Sequence, residues 1–427
     1  MKPSHKLLAI AAISTTSILL SSCSSQTVDS GATSSSAAAS TSAMHAEDGH
    51  EAHGSGTAQE ADSPQARIVT TYDGGILTLD ANTLEVLEDT PLEGFNRLNS
   101  AGDGRHVFVS TGAGFQVFDA GAWTEPHGDH THSYTAEPEL TDTVYGTQKP
   151  GHVVRHAGKT VLFGDGDGKI QIFESADLQE NGDAEPMVKE ALEPHHGVAV
   201  ALENGDLLHT LGNSDSRNGA IVFDAEGKEI ARNEQCPGVH GEAAAANEVI
   251  ALGCEDGVLI YKDGKFSKIQ APDSYGRIGN QAGSDMSPVI LGDYKVDKNA
   301  KLERPERISL TNTETGQLTL VDLGTSYSFR SLGRGPAGEA VVLGTDGQLH
   351  IIDQNSGSIL HTYPVIAPWM EPEVWQEARP TLFIQGDRAY VSEPATNKLH
   401  VVDLSNGKIL SSATLPATPN ELTGVTG

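Results

Sequence analysis

From residue 67 onward the chain repeats one unit: a short apolar strand, a turn of Gly, Asp or Asn, a second strand of alternating apolar residues often ending in Asp, and another turn. Alternation of this kind marks a half-buried β-strand, and its return at an even interval marks one supersecondary unit copied along the chain. The clearest copy runs from Arg388 to Asp403, and others cover 67–80, 106–119, 160–173, 206–224, 248–261, 307–322 and 340–353, eight in all. Roughly 360 residues shared among them gives about 45 each, the length of a four-stranded propeller blade. The expected fold is therefore all-β, a β-propeller of eight blades. Seven blades are the alternative, because the spacing between the sixth and seventh copies is short. The first copy lacks an upstream innermost strand, which the segment Asn420 to Val425 can supply to close the ring.

The N-terminus reads as an address. Lys2 and Lys6 precede the apolar stretch Leu7 to Ile13, and a second patch, Ile18 to Leu20, leads into Ser21-Ser22-Cys23. The apolar segment is too short and too interrupted to span a bilayer, so residues 1–23 are expected to be a lipoprotein signal ending in a lipobox. Cys23 is the expected lipid anchor, placing the protein outside the cytoplasm and tethered to the membrane. An ordinary signal peptide cut nearby is the bland alternative. Residues 24–66 are rich in Ser, Ala, Gly and Thr and are expected to form a flexible stalk before a propeller over 67–427. Within that stalk His45, His50 and His53 lie among Glu47, Asp48 and Glu51, a tract suited to metal capture rather than a merely polar linker.

Two further cysteines, Cys236 and Cys254, are expected to pair as a disulfide in an oxidising compartment, with zinc thiolates as the rival reading. Closing that loop stabilises a fold by about 3 kcal/mol. With 28 Lys and Arg against 58 Asp and Glu, the formal charge of −30 argues against a nucleic-acid partner. A monomer is expected.

Seventeen histidines give the chain its chemistry. The sharpest cluster is His127-Gly128-Asp129-His130-Thr131-His132, which offers three imidazoles in six residues to a borderline-soft cation. On an extended backbone His130 and His132 share a face, and a turn at Gly128-Asp129 folds His127 back beside them. A histidine-rich surface loop without a metal is the bland reading. The loop follows the third strand of its blade, which suggests the outer rim and the face opposite the cluster described next. The twenty residues from His132 to His152 are long enough to bring it elsewhere, and whether it reaches that cluster's mouth stays open.

Aligning the repeats exposes a second constellation. His152 lies nine residues before Val161, His240 nine before Val249, and His196 eleven before Leu207. Three consecutive units thus place a histidine at the start of an innermost strand, where strands from different blades converge on the channel. Alternation adds His156 and Glu242 as channel-facing neighbours. The expected centre is tetrahedral zinc on His152, His196 and His240, with Glu242 or water in fourth place, and His195 replaces His196 if the register slips by one. The alternative is that these histidines cap carbonyls or hold water. Imidazole ligation is expected to weaken as pH falls through the ordinary histidine range.

The copy at 388–403 is similar to surface-protein propeller repeats with a Tyr-Val-Thr-Asn signature, which bears on fold alone. The combination of a histidine-bearing N-terminus, the 127–132 run, Lys149-Pro-Gly-His152-Val-Val-Arg-His156, His195-His196-Gly197 and His240-Gly-Glu242 resembles the AztD-type periplasmic zinc metallochaperones over most of 67–427. The resemblance implies a protein that binds Zn2+ outside the cytoplasmic membrane and hands it to the solute-binding protein of a zinc ABC importer. It also implies a carrier rather than an enzyme. The lipobox departs from the periplasmic pattern and suggests a membrane-tethered version. The competing classes are a lactonase-like metallohydrolase, with metal-activated water and Glu242 as base, and a cell-surface propeller that binds a protein partner. For any partner, Trp369 to Trp375 is a candidate contact loop, or an aromatic plug over one channel end.

Overall fold

The computed structural model describes residues 58–427. Cys23 and the tail residues His45, His50 and His53 lie outside the described residues.

Alternating apolar residues and tight turns fold this region into eight four-stranded antiparallel sheets and one three-stranded sheet. Each four-stranded sheet is a blade. In chain order the innermost strands of blades 2 to 8 are Arg97–Ser100, Pro150–His156, Ala199–Ala201, His240–Ala245, Gln281–Ala282, Leu332–Arg334 and Leu382–Gln385. The second and third strands of each blade carry the apolar side chains, as in Lys159–Gly164 and Val249–Cys254, while outer strands such as Val86–Leu92 and Ile409–Thr414 alternate toward solvent. Buried clusters bridge neighbouring blades. Val107 and Phe118 join Ile76 between blades 2 and 1, Leu208 and Val222 join Phe163 and Leu259 across blades 3 to 5, and Tyr390 joins Ile68 between blades 8 and 1. The packing therefore runs round a ring.

The C-terminal strand Leu422–Val425 closes it as the innermost strand of blade 1, with Arg67 opposite Val425 and Thr70 opposite Leu422. Each innermost strand starts at one mouth of the channel and ends at the other.

Blade 6 departs from the repeat as read in the sequence. Its second and third strands are Val289–Asp293 and Arg307–Asn312, joined by a long connector in place of a tight turn. The copy at 307–322 thus matches the third and fourth strands, one strand later than in the other blades, which accounts for its short spacing to the next copy.

Two details revise the stalk and confirm the pairing of cysteines. Residues Gln59–Ala61, expected to belong to a flexible stalk, form a strand against His130–Thr135, because the edge of that hairpin satisfies their backbone groups. Cys236 and Cys254 form a disulfide with Cα atoms 5.0 Å apart, tying the approach to blade 5 to its second strand. No helix of the described residues is long and apolar enough to cross a membrane.

Candidate metal centres

The 127–132 run is the tip of a β-hairpin inserted between the third and outermost strands of blade 2. Its strands are Ala122–His127 and His130–Thr135, with His127 opposite His130 and Gly128 at φ +63° making the turn. The base is rooted firmly. The Arg105 guanidinium lies 3.9 Å over the Trp123 ring while forking onto Asp119, and Arg67 Nη1 donates to the carbonyls of Ala120 and Ala136.

At the tip, His130 Nε2 lies 2.9 Å from His132 Nε2 and 3.3 Å from His127 Nδ1. The far nitrogens are occupied, with His130 Nδ1 3.1 Å from Asp129 and His132 Nδ1 2.6 Å from Glu60. Carboxylates accept, so both Nδ1 atoms donate, and in the neutral rings the Nε2 lone pairs are left facing each other. That is an arrangement a cation relieves. Glu60 comes from the short strand Gln59–Ala61 and was not anticipated from sequence.

The second centre joins three blades at the other mouth. His152 sits near the start of the innermost strand of blade 3, His240 at the start of that of blade 5, and His196 just ahead of that of blade 4. Their ligand atoms all lie within 4.8 Å of one another. His196 Nε2 is 3.0 Å from His240 Nε2, and the ring centroids of His152 lie 5.1 and 5.7 Å from those of His196 and His240. Again the outer nitrogens are braced: His196 Nδ1 donates to Asp165 at 2.5 Å, and His240 Nδ1 to the Gly279 carbonyl at 2.5 Å.

Local irregularities aim these side chains. The strand register shifts between Pro150 and Val153 and between His240 and Glu242, the latter at Gly241 with φ +70°. Gly151 is required for space: a Cβ there would fall 2.1 Å from Asp165 Oδ1 and displace the carboxylate that holds His196.

Burial sets the electrostatics. It pushes His152 well below the ordinary imidazole range, helped by the neighbouring His240 and His196 and by Arg97 and Arg217. It lowers His240 to about 3, helped by His196, Arg277 and Arg217. Both rings are therefore neutral, the form that binds metal, well below the pH at which sequence alone would have them protonate. Glu242 lies 3.9 Å from His152 Nδ1, and burial raises its carboxyl to about 8.

Other expected ligands lie elsewhere. His156 shares a strand with His152, but four residues of strand carry it about 13 Å along the channel; there it meets Glu248 at 3.2 Å and stands apart from the triad. His195 does not exchange with His196. It is buried, with Nδ1 2.8 Å from the Glu193 carbonyl and Nε2 2.8 Å from Thr210 Oγ1. The 365–381 loop follows the outer strand of blade 7 and so lies on the triad's face; Trp369 donates to the Gly344 carbonyl, while Trp375 is half exposed and meets Phe95 edge-on at 5.1 Å.

The two centres occupy opposite faces. The triad stands where innermost strands begin, whereas the hairpin leaves blade 2 beside the point where they end, with Thr124 Oγ1 donating to the Gly427 carbonyl just past Leu422–Val425. Asp165, Gly279 and Glu60, the groups that orient the ligands, were not foreseen, because they come from neighbouring elements at no regular spacing.

No protein-family model matches the chain. The zinc chaperone AztD of Citrobacter koseri is 28% identical over 364 residues, covering 81% of this chain and 84% of that protein. The crystal structure of Citrobacter koseri AztD aligns with a TM-score of 0.73 at 26% identity, over 86% of this chain and 99% of that one. Its apo structure aligns at 0.71 and 25% identity, over 85% and 98%. The dihydro-heme d1 dehydrogenase NirN, at 13% identity and a TM-score of 0.52, over 84% of this chain and 75% of that one, shares the fold alone. Over most of its length, then, the chain is similar in both sequence and fold to the zinc chaperone AztD.

Proposed function

We propose that this protein is a zinc metallochaperone that holds Zn2+ on three imidazoles and passes it to another protein. The observation that carries this reading is the facing pair of Nε2 atoms, 3.0 Å apart between His196 and His240, each on a ring whose other nitrogen is tied down. Three neutral nitrogen donors leave a fourth position open, and an open position lets an acceptor's ligand enter before the last donor leaves. His127, His130 and His132 offer a second set of the same kind at an exposed hairpin tip. Glu242 stands beside His152 as a further candidate ligand.

The recipient in this reading is the solute-binding protein of a zinc ABC importer, and the chain works outside the cytoplasm. Cys23, following an apolar segment with Lys2 and Lys6 ahead of it, is the candidate lipid anchor, and His45, His50 and His53 are candidate collectors of the metal. Partitioning of a Cys23→Ala variant into the aqueous phase of a detergent extraction supports the anchor, and unchanged partitioning removes it.

The deciding experiment loads the purified protein with zinc, mixes it with an apo zinc-binding importer component, and times transfer against a chelator control. Transfer faster than loss to chelator is expected. Zinc that binds and never moves points instead to a metallohydrolase.

A further inference from the structure

Cations are scarce in this chain, with 28 Lys and Arg against 58 Asp and Glu, yet arginines gather around the histidine triad. Arg97 begins the innermost strand of blade 2 at the same mouth, and its charge bears on His152. Arg217 Nη1 reaches the His196 carbonyl at 3.4 Å, and its charge bears on both His152 and His240. Arg277 Nη1 reaches the Gly238 carbonyl at 3.3 Å, and its Nε and Nη2 stand 3.2 Å from where a Cβ on Gly279 would project, beside the carbonyl that braces His240. Arg217 and Arg277 are close enough to repel each other.

Two other arginines on this face are paired, Arg330 with Glu421 and Arg379 with Glu371. Arg97, Arg217 and Arg277 form no ion pair among the described residues. Asp165 and Glu255 act on Arg217 only from a distance, since Asp165 is bonded to His196 and Glu255 is paired with Lys298 at 2.8 Å.

Three half-buried guanidinium groups beside a cation site weaken its hold on a bare dication, so their placement needs an anion to balance it. Guanidinium forks match carboxylates in shape and charge. We propose that Arg97, Arg217 and Arg277 form a receptor for an incoming carboxylate, which takes the open coordination position of a zinc ion held by His152, His196 and His240. This rests on the zinc-carrier reading. The carboxylate belongs either to an Asp or Glu side chain of an acceptor protein or to a small free acid. Its arrival neutralises the arginines, adds a ligand to the metal, and gives the site a state in which zinc is shared.

Cobalt(II) is the probe, used on the full chain carrying His130→Ala to silence the hairpin, in chloride-free buffer. The visible bands report coordination, and their loss in His196→Ala assigns them to the triad. Millimolar succinate is expected to change these bands and to raise cobalt affinity about tenfold, the size of one charge-assisted contact. Arg217→Gln and Arg97→Gln are each expected to remove most of that gain while one cobalt still binds; Arg97, unlike Arg217, donates no hydrogen bond to the triad's backbone, so its variant guards against a folding defect at Arg217. Tetraglutamate acting at far lower concentration than succinate identifies a protein segment as the source, and equal potency per carboxylate identifies a small acid. Cobalt bands that depend on His196 but ignore both anions, or anion effects untouched by the arginine variants, overturn the receptor alone. Bands indifferent to His196→Ala overturn the zinc-carrier reading with it.

Discussion

His196 Nε2 faces His240 Nε2 across 3.0 Å, although the hydrogens of both rings are spent on their other nitrogens, at Asp165 and at the Gly279 carbonyl. Two lone pairs at that distance repel, and a shared cation turns the repulsion into two bonds. His196→Ala or His240→Ala is therefore expected to remove one zinc per chain, leaving the hairpin's zinc in place. Metal analysis after dialysis against a weak chelator measures this, and unchanged stoichiometry in both variants would reject the triad.

The braces matter as well as the ligands. Asp165→Asn and Glu60→Gln keep the size of each side chain but give up the charge that orients His196 and His132 respectively. Each is expected to weaken zinc at its own centre by about 10- to 100-fold and to leave the other centre alone. Competition titrations against a chromophoric chelator resolve the two affinities. Crossed effects would mean that the centres are coupled.

Glu242 reverses the usual pH behaviour of a carboxylate. With its pKa raised to about 8 it is protonated at neutral pH in the zinc-free chain, and the fold loses stability as pH rises from the ordinary carboxyl range through about 8. Glu242→Gln, which cannot ionise, should be more stable than the parent at pH above about 8 and no more stable near pH 4. Thermal melts at the two pH values give the answer. Zinc arriving beside Glu242 is also expected to expel about one proton at pH 7, read from calorimetry in buffers of different ionisation heat and absent in the variant.

His240 has the opposite sign. Its pKa lies at about 3, so the zinc-free fold gains nothing above the ordinary imidazole range and loses stability as pH falls from that range toward 3. The His152 and His240 rings are accordingly expected to stay neutral in the zinc-free chain on acidification to pH 5.5, which imidazole NMR titration measures. Ring signals of either residue that titrate between pH 7 and 6 would show that burial does not hold them neutral.

The disulfide and the closing strand are separate supports. Replacing Cys236 and Cys254 by Ser is expected to cost about 3 kcal/mol and to weaken the triad more than the hairpin, since His240 pairs with Gly253, next to Cys254. Deleting residues 420–427 removes the partner of Arg67–Tyr72 and exposes the sites of Leu422 and Val425, costing about 3–6 kcal/mol from those two side chains alone. Chemical denaturation measures both. A deletion variant as stable as the parent would mean that the ring does not depend on this closure.

Much of this was legible in the sequence for a physical reason: a repeat aligns residues that will share a position in space. The alignment placed His152, His196 and His240 at one channel mouth although 88 residues separate the first from the last. It failed for His156, because alternation along a strand reports the face a side chain occupies and is silent about depth. Blade 6 was misread by one strand where the connector after Asp293 replaces a tight turn. Asp165, Gly279 and Glu60 carry no such signal. Each reaches its histidine from another element, and only the folded chain brings them within bonding distance.

The strand Gln59–Ala61 leaves the propeller on the hairpin's face, away from the triad. The hairpin's centre is thereby assembled from two stretches of chain 72 residues apart, Glu60 and His132. A cation held there would clasp that short strand to blade 2, while the triad's mouth stays clear of it.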